Sequence, residues 1–427
     1  MPRLADIVRW VDDVAAVARV GSRSLLPIDT NPVPSAWTHV TKVDPEAEKK
    51  LPLLFPLYLQ HTSATEVGGS SQVTGENTEE TLELVADRPV TAFQEPSDGR
   101  HVTSATREKA AFLAIPEVVN GDAEAMVGML GEGIEYIKTE LGPELIREKL
   151  PVPLGGLEER LSKFAASWLL HEAVFESYII MNLDSAAARE GKVSEKGLLN
   201  PTEARQRAMA VEHYLESEII YLEYSGTYGG TEAAELLEAI SEAVSWPRVW
   251  YGGGLDNRDN AQAMLDAGAD AIVVGDIFHR IAEEERTHVR AATSDLAPDA
   301  DERAVGAWVD EHVDVGDSSA AKYLSTVPHL PSPEETANEY ICATIETALE
   351  LRCLGKRVED PTSRRDIEDA VDDEVPGARY VDPVVDDQSF QRRLVVSLVG
   401  SAFGLDPPLP VCHLSFDTDS IPSDTTT

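Results

Sequence analysis

An α/β fold is predicted: a (β/α)8 barrel of the TIM type with an irregular third helix, followed by a mostly helical C-terminal extension. Three observations predict it. Eight short β-rich runs recur between Thr38 and Val274, helical patterns such as Thr202–Glu216 and Thr231–Val244 separate most of them, and glycine-containing turns follow the last two. Buried strands alternating with amphipathic helices make a parallel sheet, and eight such units close on themselves.

The runs are Thr38–Val43, Leu57–His61, Val90–Gln94, Ala111–Ile115, Tyr178–Met181, Ile219–Tyr224, Arg248–Tyr251 and Ala271–Val274. The third and fourth stand too close together for a full helix between them, so the helices of that half are expected to be displaced or missing. Before the barrel, residues 1–36 form an extension whose Leu4, Ile7, Val8, Val11, Val14 and Ala15 fit one helical face and which closes on the Pro-punctuated stretch Pro27–Pro34. The barrel is assigned to residues 37–292, with Asp122–Glu176 as an elaborated, mostly helical connection between the fourth and fifth strands. Residues 293–419 form an accessory acidic region, helical over Asp301–Val313, Pro333–Leu354 and Gln391–Phe403, with an acidic, Pro-interrupted stretch at Val358–Asp387. The tail from Ser420 to Thr427 is expected to be disordered.

The 427 residues carry 36 Lys and Arg against 76 Asp and Glu, a formal charge of −40 spread along the chain. With no basic run to track a phosphate backbone, nucleic acid is excluded as a partner. The acidity reads as a solvated shell suited to a high-salt (halophilic) cytoplasm, where ions screen its self-repulsion. Cys342, Cys353 and Cys412 match no zinc spacing, and no apolar run reaches the roughly 20 residues of a membrane span, so a reduced, cytoplasmic location is expected.

The chemistry is expected at the C-terminal ends of the strands, where the loops of a barrel converge. Gly252-Gly253-Gly254 after the seventh strand and Gly275-Asp276 after the eighth suit a phosphate, because glycine lets backbone N–H groups approach its oxygens and a following helix N-terminus adds positive potential. At the sixth strand, Tyr221-Leu222-Glu223-Tyr224-Ser225 sends Tyr221, Glu223 and Ser225 to one face. On the lumen side, Glu223 could accept hydrogen bonds from a polyol and then its proton, whereas a merely space-filling Glu would leave a costly unpaired carboxylate.

These segments together resemble the geranylgeranylglyceryl phosphate synthase family, which includes the bacterial heptaprenylglyceryl phosphate synthases. The resemblance continues in Lys42-Val43-Asp44-Pro45 after the first strand, in Val67-Gly68-Gly69-Ser70-Ser71-Gln72-Val73-Thr74, and in Met181-Asn182-Leu183-Asp184-Ser185-Ala186, and so spans about Trp37 to Ile281. It implies a magnesium-dependent prenyltransferase that joins a long prenyl group, geranylgeranyl above all, from its diphosphate to sn-glycerol-1-phosphate, forming the ether bond of archaeal-type membrane lipids. It further implies Mg2+ at Asp44 and Ser70, substrate at Lys42, Tyr221, Glu223 and Ser225, the phosphate at Gly253, Gly254, Gly275 and Asp276, and Glu223 as the group that draws the proton. A homodimer is expected on the same ground; for the C-terminal region three roles stay open, covering the barrel, mediating assembly or making a peripheral membrane contact. Magnesium prefers hard oxygens, which suits a carboxylate with a hydroxyl; taken alone, Asp44 would read as a turn before Pro45 and Ser70 as a helix cap.

Three positions depart from the family pattern: Asp276 stands for the usual Asn, Leu183 for a Pro, and the third-strand loop reads Gln94-Glu95-Pro96-Ser97. Two other readings remain open. One is another phosphate-binding barrel enzyme, of the flavin or sugar-phosphate kind, and the other a non-catalytic phosphate-ligand-binding or scaffold protein derived from this barrel.

Overall fold

The computed structural model describes Val14, Val17, Gly21 and Arg23, and then residues 29–421 except 47, 49, 70, 71, 124, 126, 127, 150–157, 359, 360, 372 and 373. Most of the helical face expected in residues 1–28, together with Ser70, lies outside the described residues, as do residues 422–427.

Eight parallel strands form one sheet in the order β3-β2-β1-β8-β7-β6-β5-β4. They are β1 His39–Val43, β2 Ala64–Gly68, β3 Ala92–Glu95, β4 Ala114–Val118, β5 Val174–Ile180, β6 Ile219–Glu223, β7 Arg248–Gly252 and β8 Ala271–Val274. The seam between β3 and β4 is held by a single bridge, Gln94 to Leu113, so the barrel is nearly closed. Between these two strands stand only a 3-10 turn, Gly99–His101, and a six-residue helix, Ser104–Lys109, which is the irregular third helix.

Two strand assignments need correction. Leu57–His61 is no strand: Phe55–Leu59 is a short helix with Pro56 in its first turn and all five side chains buried, and the second strand is Ala64–Gly68. A short apolar run fits a buried helix as well as a strand, and the true strand was masked by Thr65 and Glu66. The fourth strand lies three residues further on than expected, at Ala114–Val118. The connection to β5 carries the helices Met129–Tyr136, Gly142–Lys149 and Glu158–Glu172.

Side-chain alternation divides each strand between lumen and wall. Val40, Ala64, Phe93, Ala114, Val174, Tyr178, Tyr221, Trp250 and Val273 pack together inside the barrel. Trp37 stacks on Phe93 and Phe112, with centroids 5.9 and 6.1 Å away, and closes the N-terminal end. The outer face of β1 presents polar groups: His39 lies between the hydroxyls of Thr62 at 2.9 Å and Thr326 at 3.0 Å, and Thr41 meets the Tyr323 hydroxyl at 2.7 Å. Two of these three partners belong to the helix Ser319–Thr326, so the C-terminal region itself covers this part of the barrel wall.

The other C-terminal helices include Glu302–His312, Pro333–Arg357 and Phe390–Ala402, close to the expected bounds. They share one apolar core with the outer barrel wall, and the twenty-residue helix Asp276–Asp295 runs through the join. Of the tail expected to be disordered, Ser420 instead ends a 3-10 turn and Ile421 is buried.

Candidate functional site

A cavity of about 550 Å³ opens at the C-terminal ends of the strands. Its wall brings together Lys42, Asp44, Tyr221, Glu223, Ser225, Gly253, Gly254, Gly275 and Asp276. Every site residue expected from the sequence is therefore at one mouth, apart from Ser70, which lies outside the described residues next to Gly69 of the same wall.

The sixth strand delivers Tyr221 and Glu223 as alternate residues, both buried. Glu223 Oε1 accepts the Ser225 amide at 3.1 Å and the Ser225 hydroxyl, so the turn after the strand clasps its own carboxylate. The turn is fixed from outside by Asn182, whose Nδ2 donates to the Ser225 carbonyl at 2.6 Å. Leu183, standing where the family pattern has Pro, leaves this bond intact. Burial pushes the Glu223 carboxyl up to about 7; Lys42 opposes the shift, Glu95 adds to it, and Ser225 and Tyr221 oppose it by hydrogen bonding. A carboxylate with such a pKa exchanges protons readily near neutrality.

The glycine turns are built for backbone approach. Gly254 has φ +51°, and a Cβ there would lie 2.5 Å from the Thr227 carbonyl carbon and the Tyr228 nitrogen. Any other residue would strain the turn and push the two loops apart. Tyr251 ties the loops together, its hydroxyl accepting the Gly229 amide at 3.0 Å and donating to the Gly253 carbonyl at 3.2 Å. On the neighbouring strand, Gly275 is the N-cap of the helix Asp276–Asp295. The first N–H groups of a helix lack intrahelical acceptors and carry partial positive charge, so its end offers an anion both donors and potential. Asp276 brings a carboxylate to the same end. One turn along, Arg280 lines the cavity and has no ion pair among the described residues.

Lys42 is the other basic residue of the wall, and it is engaged. Its Nζ lies 2.6 Å from Glu66 Oε1 and 2.6 Å from Glu95 Oε2. Burial works against the ammonium, but the two carboxylates outweigh it and hold its pKa well above the usual lysine value. Tyr178, stacked on Tyr221 with centroids 4.6 Å apart, donates its hydroxyl to Glu95 at 2.9 Å. Below them Glu176 is fully buried, and neither of its carboxyl oxygens has a hydrogen-bond partner among the described residues. Burial, reinforced by Glu66 and Glu95, drives its pKa well above the ordinary range and favours the neutral acid.

Asp44, half-buried at the end of β1, has a pKa raised to about 6 by burial; Lys42 opposes this, and Asp276 and Glu95 add to it. Its backbone amide donates to His279 Nε2 at 3.2 Å. A hard carboxylate oxygen with the Asp276 carboxylate close by suits a divalent cation of the magnesium type. The described part of this corner contains no thiolate and no imidazole cluster that would select a softer metal.

Sequence reading missed Glu66, Glu95, Glu176, Tyr178, His279 and Arg280. Glu66 went with the misplaced second strand. For Glu95, Glu176 and Tyr178 the available signal was a polar residue at an alternate position of a strand that is otherwise buried. His279 and Arg280 sit at i+3 and i+4 from Asp276, which puts them on the same face of the helix.

Arg280 is the cation most available to a phosphate held at this helix end. Replacing it with Ala is expected to raise the Kd for a small phosphate ligand by about 10-fold or more, as for one charge-assisted hydrogen bond. Titration calorimetry with wild type and variant checks this.

The chain is 26% identical over 244 residues to a geranylgeranylglyceryl phosphate synthase of Methanocella arvoryzae, across 57% of this chain and 91% of that protein. Among solved structures it is similar to (S)-3-O-geranylgeranylglyceryl phosphate synthase from Thermoplasma acidophilum in complex with sn-glycerol-1-phosphate. That match has a TM-score of 0.42 and 20% identity, over 57% of this chain and 87% of that one. Wild-type GGGPS from Thermoplasma volcanium matches with a TM-score of 0.40 and 18% identity, over 56% of this chain and 84% of that one. The profile of the PcrB family matches residues 34–293, more than half of the sequence, and the chain accordingly belongs to the PcrB family.

Proposed function

We propose that the protein transfers a long prenyl group, geranylgeranyl in the first instance, from its diphosphate to the free primary hydroxyl of sn-glycerol-1-phosphate. The observation that carries the reading is the buried Glu223 carboxylate, in one cavity with the glycine turns and Asp44. The related synthase of Methanocella arvoryzae supports it.

In this reading the phosphate of the acceptor rests on the turns at Gly252–Gly254 and Gly275–Asp276, with Arg280 closing over it. Tyr221 and Ser225 orient the glycerol hydroxyls towards Glu223. As the glycerol oxygen forms its bond to the allylic carbon, the bond from that carbon to the diphosphate oxygen breaks, and the hydroxyl proton passes to Glu223 Oε. Pyrophosphate leaves with the bonding electron pair. Lys42 is neutralised by Glu66 and Glu95 and so acts on the shape and field of the cavity floor more than as a free anion receptor. Asp44, with Ser70, would hold Mg2+, whose chemistry when bound is to neutralise the departing pyrophosphate.

No helix among the described residues is long and apolar enough to cross a membrane. With a formal charge of −40 on the chain, we place the protein in a high-salt cytoplasm.

Glu223 must be ionised to accept a proton. Turnover is therefore expected to rise with pH and level off above a midpoint of about 7, and to fall away as Glu223 is protonated below it. The pH dependence of kcat/KM checks this, and a profile flat from pH 5 to 8 would remove Glu223 as the base. The reading as a whole is tested by incubation with Mg2+, sn-glycerol-1-phosphate and prenyl diphosphates of several lengths, following ether product and pyrophosphate. Product that is lost in Asp44→Asn supports the reading. No product with any prenyl donor, despite binding of glycerol phosphate, would favour a protein that only binds the ligand.

A further inference from the structure

Asp44 stands at the start of the β1–β2 connection, and that connection is held by the opposite end of the chain. Leu51 pairs with Leu414 in a parallel bridge: the Leu51 amide donates to the His413 carbonyl at 3.0 Å, and the Ser415 amide to the Leu51 carbonyl at 2.8 Å. Two residues on, the Leu53 amide donates to Glu285 Oε1 at 2.5 Å, and the same buried carboxylate accepts the hydroxyls of Ser415 and, at 3.2 Å, of Thr344. One side chain in this clamp reaches towards the site. Lys50 is 1% exposed, and its Nζ donates to the carbonyl of Pro45 at 2.7 Å and to His413 Nδ1 at 3.2 Å.

A buried ammonium is costly unless it is fully paired, and an apolar residue would fill the same volume without that cost. What the ammonium provides is a fixed carbonyl immediately after Asp44. With Asp44 N–H bonded to His279 on one side and Pro45 C=O bonded to Lys50 on the other, the Asp44-Pro45 pair is gripped at both ends. The same turn reaches the second loop of the corner, since the Glu46 carboxylate packs against Gly69 so closely that a Cβ there would overlap it.

Glu80, Cys412 and His413 also bring ligand-type atoms within 4.8 Å of one another beside Lys50. Two of the three, Glu80 and His413, are engaged with each other directly. The ammonium donating to Nδ1 leaves the imidazole proton on Nε2, where it bonds Glu80 at 2.7 Å. The imidazole thus relays the anchoring of Lys50 to Glu80.

We propose that Lys50, seated by the C-terminal segment Val411–Ser415 through His413, is a positioning residue that fixes Asp44 for the cation-binding corner of the site. The proposal rests on the reading of Asp44 as a cation ligand. It explains how a region outside the family match acts on the reaction.

The test compares wild type with Lys50→Met, Lys50→Arg and Glu80→Gln in the full chain. In Lys50→Met the Mg2+ concentration for half-maximal turnover is expected to rise about 10-fold or more, as when the support of a metal ligand is removed. The KM for glycerol phosphate should change far less, and Lys50→Arg should recover part of the Mg2+ response. A folded Lys50→Met with unchanged Mg2+ response overturns the proposal, as does an equal loss in both substrate and Mg2+ terms. Should Lys50→Met fail to fold, Glu80→Gln decides: a shift in the Mg2+ response of the same sign supports the proposal, and none overturns it. Hydrogen exchange across residues 44–54 reads the same point without turnover. Faster exchange in Lys50→Met, or in Glu80→Gln if that is the folded variant, with the rest of the barrel unchanged supports positioning, and unchanged exchange overturns it. An inactive wild type that shows the expected exchange would count against the proposed reaction and not against the clamp.

Discussion

Replacing Glu223 with Gln is expected to leave the barrel folded and to lower kcat about 10²- to 10⁴-fold, the usual contribution of a positioned general base. The substitution preserves volume, and the amide oxygen can still accept the Ser225 amide that now bonds Oε1 at 3.1 Å. It also removes one buried acid from a lumen that already holds Glu66, Glu95 and Glu176 beside Lys42, so stability should hold or rise slightly. What is lost is the carboxylate oxygen beside Ser225 that could take a proton at pH 7. Binding of glycerol phosphate should change little if, as proposed, its phosphate is held by the glycine turns. Rapid-quench measurement of ether product against calorimetric Kd separates the two effects; equal losses in both would make Glu223 a binding residue instead.

Removing residues 294–427 is expected to leave no cooperatively folded barrel. The aromatic contacts across the join are Phe55 with Phe390 at 5.9 Å, Tyr58 with Tyr340 at 5.2 Å and with Tyr323 at 6.2 Å, and Phe278 with Tyr323 at 5.3 Å. Exposing a buried side chain of this size costs about 2 kcal/mol, and Leu53, Leu54, Leu57 and Ile281 would be uncovered with them. The buried polar groups fare no better. His39 would lose Thr326, Thr41 would lose Tyr323, and Glu285 would lose Ser415 and Thr344. Summed, these losses match or exceed the roughly 5–15 kcal/mol that stabilises a domain. Circular dichroism and calorimetric melting of the shortened chain check this, and a sharp transition near that of the full chain would show the barrel to be self-sufficient.

The legibility of this chain in its sequence followed the reach of the interactions involved. Strands whose hydrophobic runs are bounded by glycine or polar turns, such as Ile219–Glu223 and Ala271–Val274, were plain, because their burial on both faces makes a continuous apolar run. The long helices of the C-terminal region were plain for a similar reason, since their periodicity extends over several turns. Leu57–Leu59 misled because three apolar residues cannot distinguish a buried turn of helix from a strand, and Ala64–Gly68 was hidden because its lumen position holds Glu66. In the site, Glu223 and the glycine turns were legible from their places at strand ends, and Asp44 only through the family resemblance. The partners of Lys42 were not, since Glu66 and Glu95 meet it only when the sheet curls. Least legible was the contact of Lys50 with His413, which joins residues 363 positions apart.

In the proposed reaction one cavity holds glycerol phosphate between the glycine turns and Glu223. A crystal structure of the protein with sn-glycerol-1-phosphate would show whether it does. Phosphate oxygens are expected on the backbone of Gly253, Gly254 and Gly275, with the free primary hydroxyl within hydrogen-bond reach of Glu223. Phosphate bound elsewhere, or a hydroxyl facing away from Glu223, would contradict it.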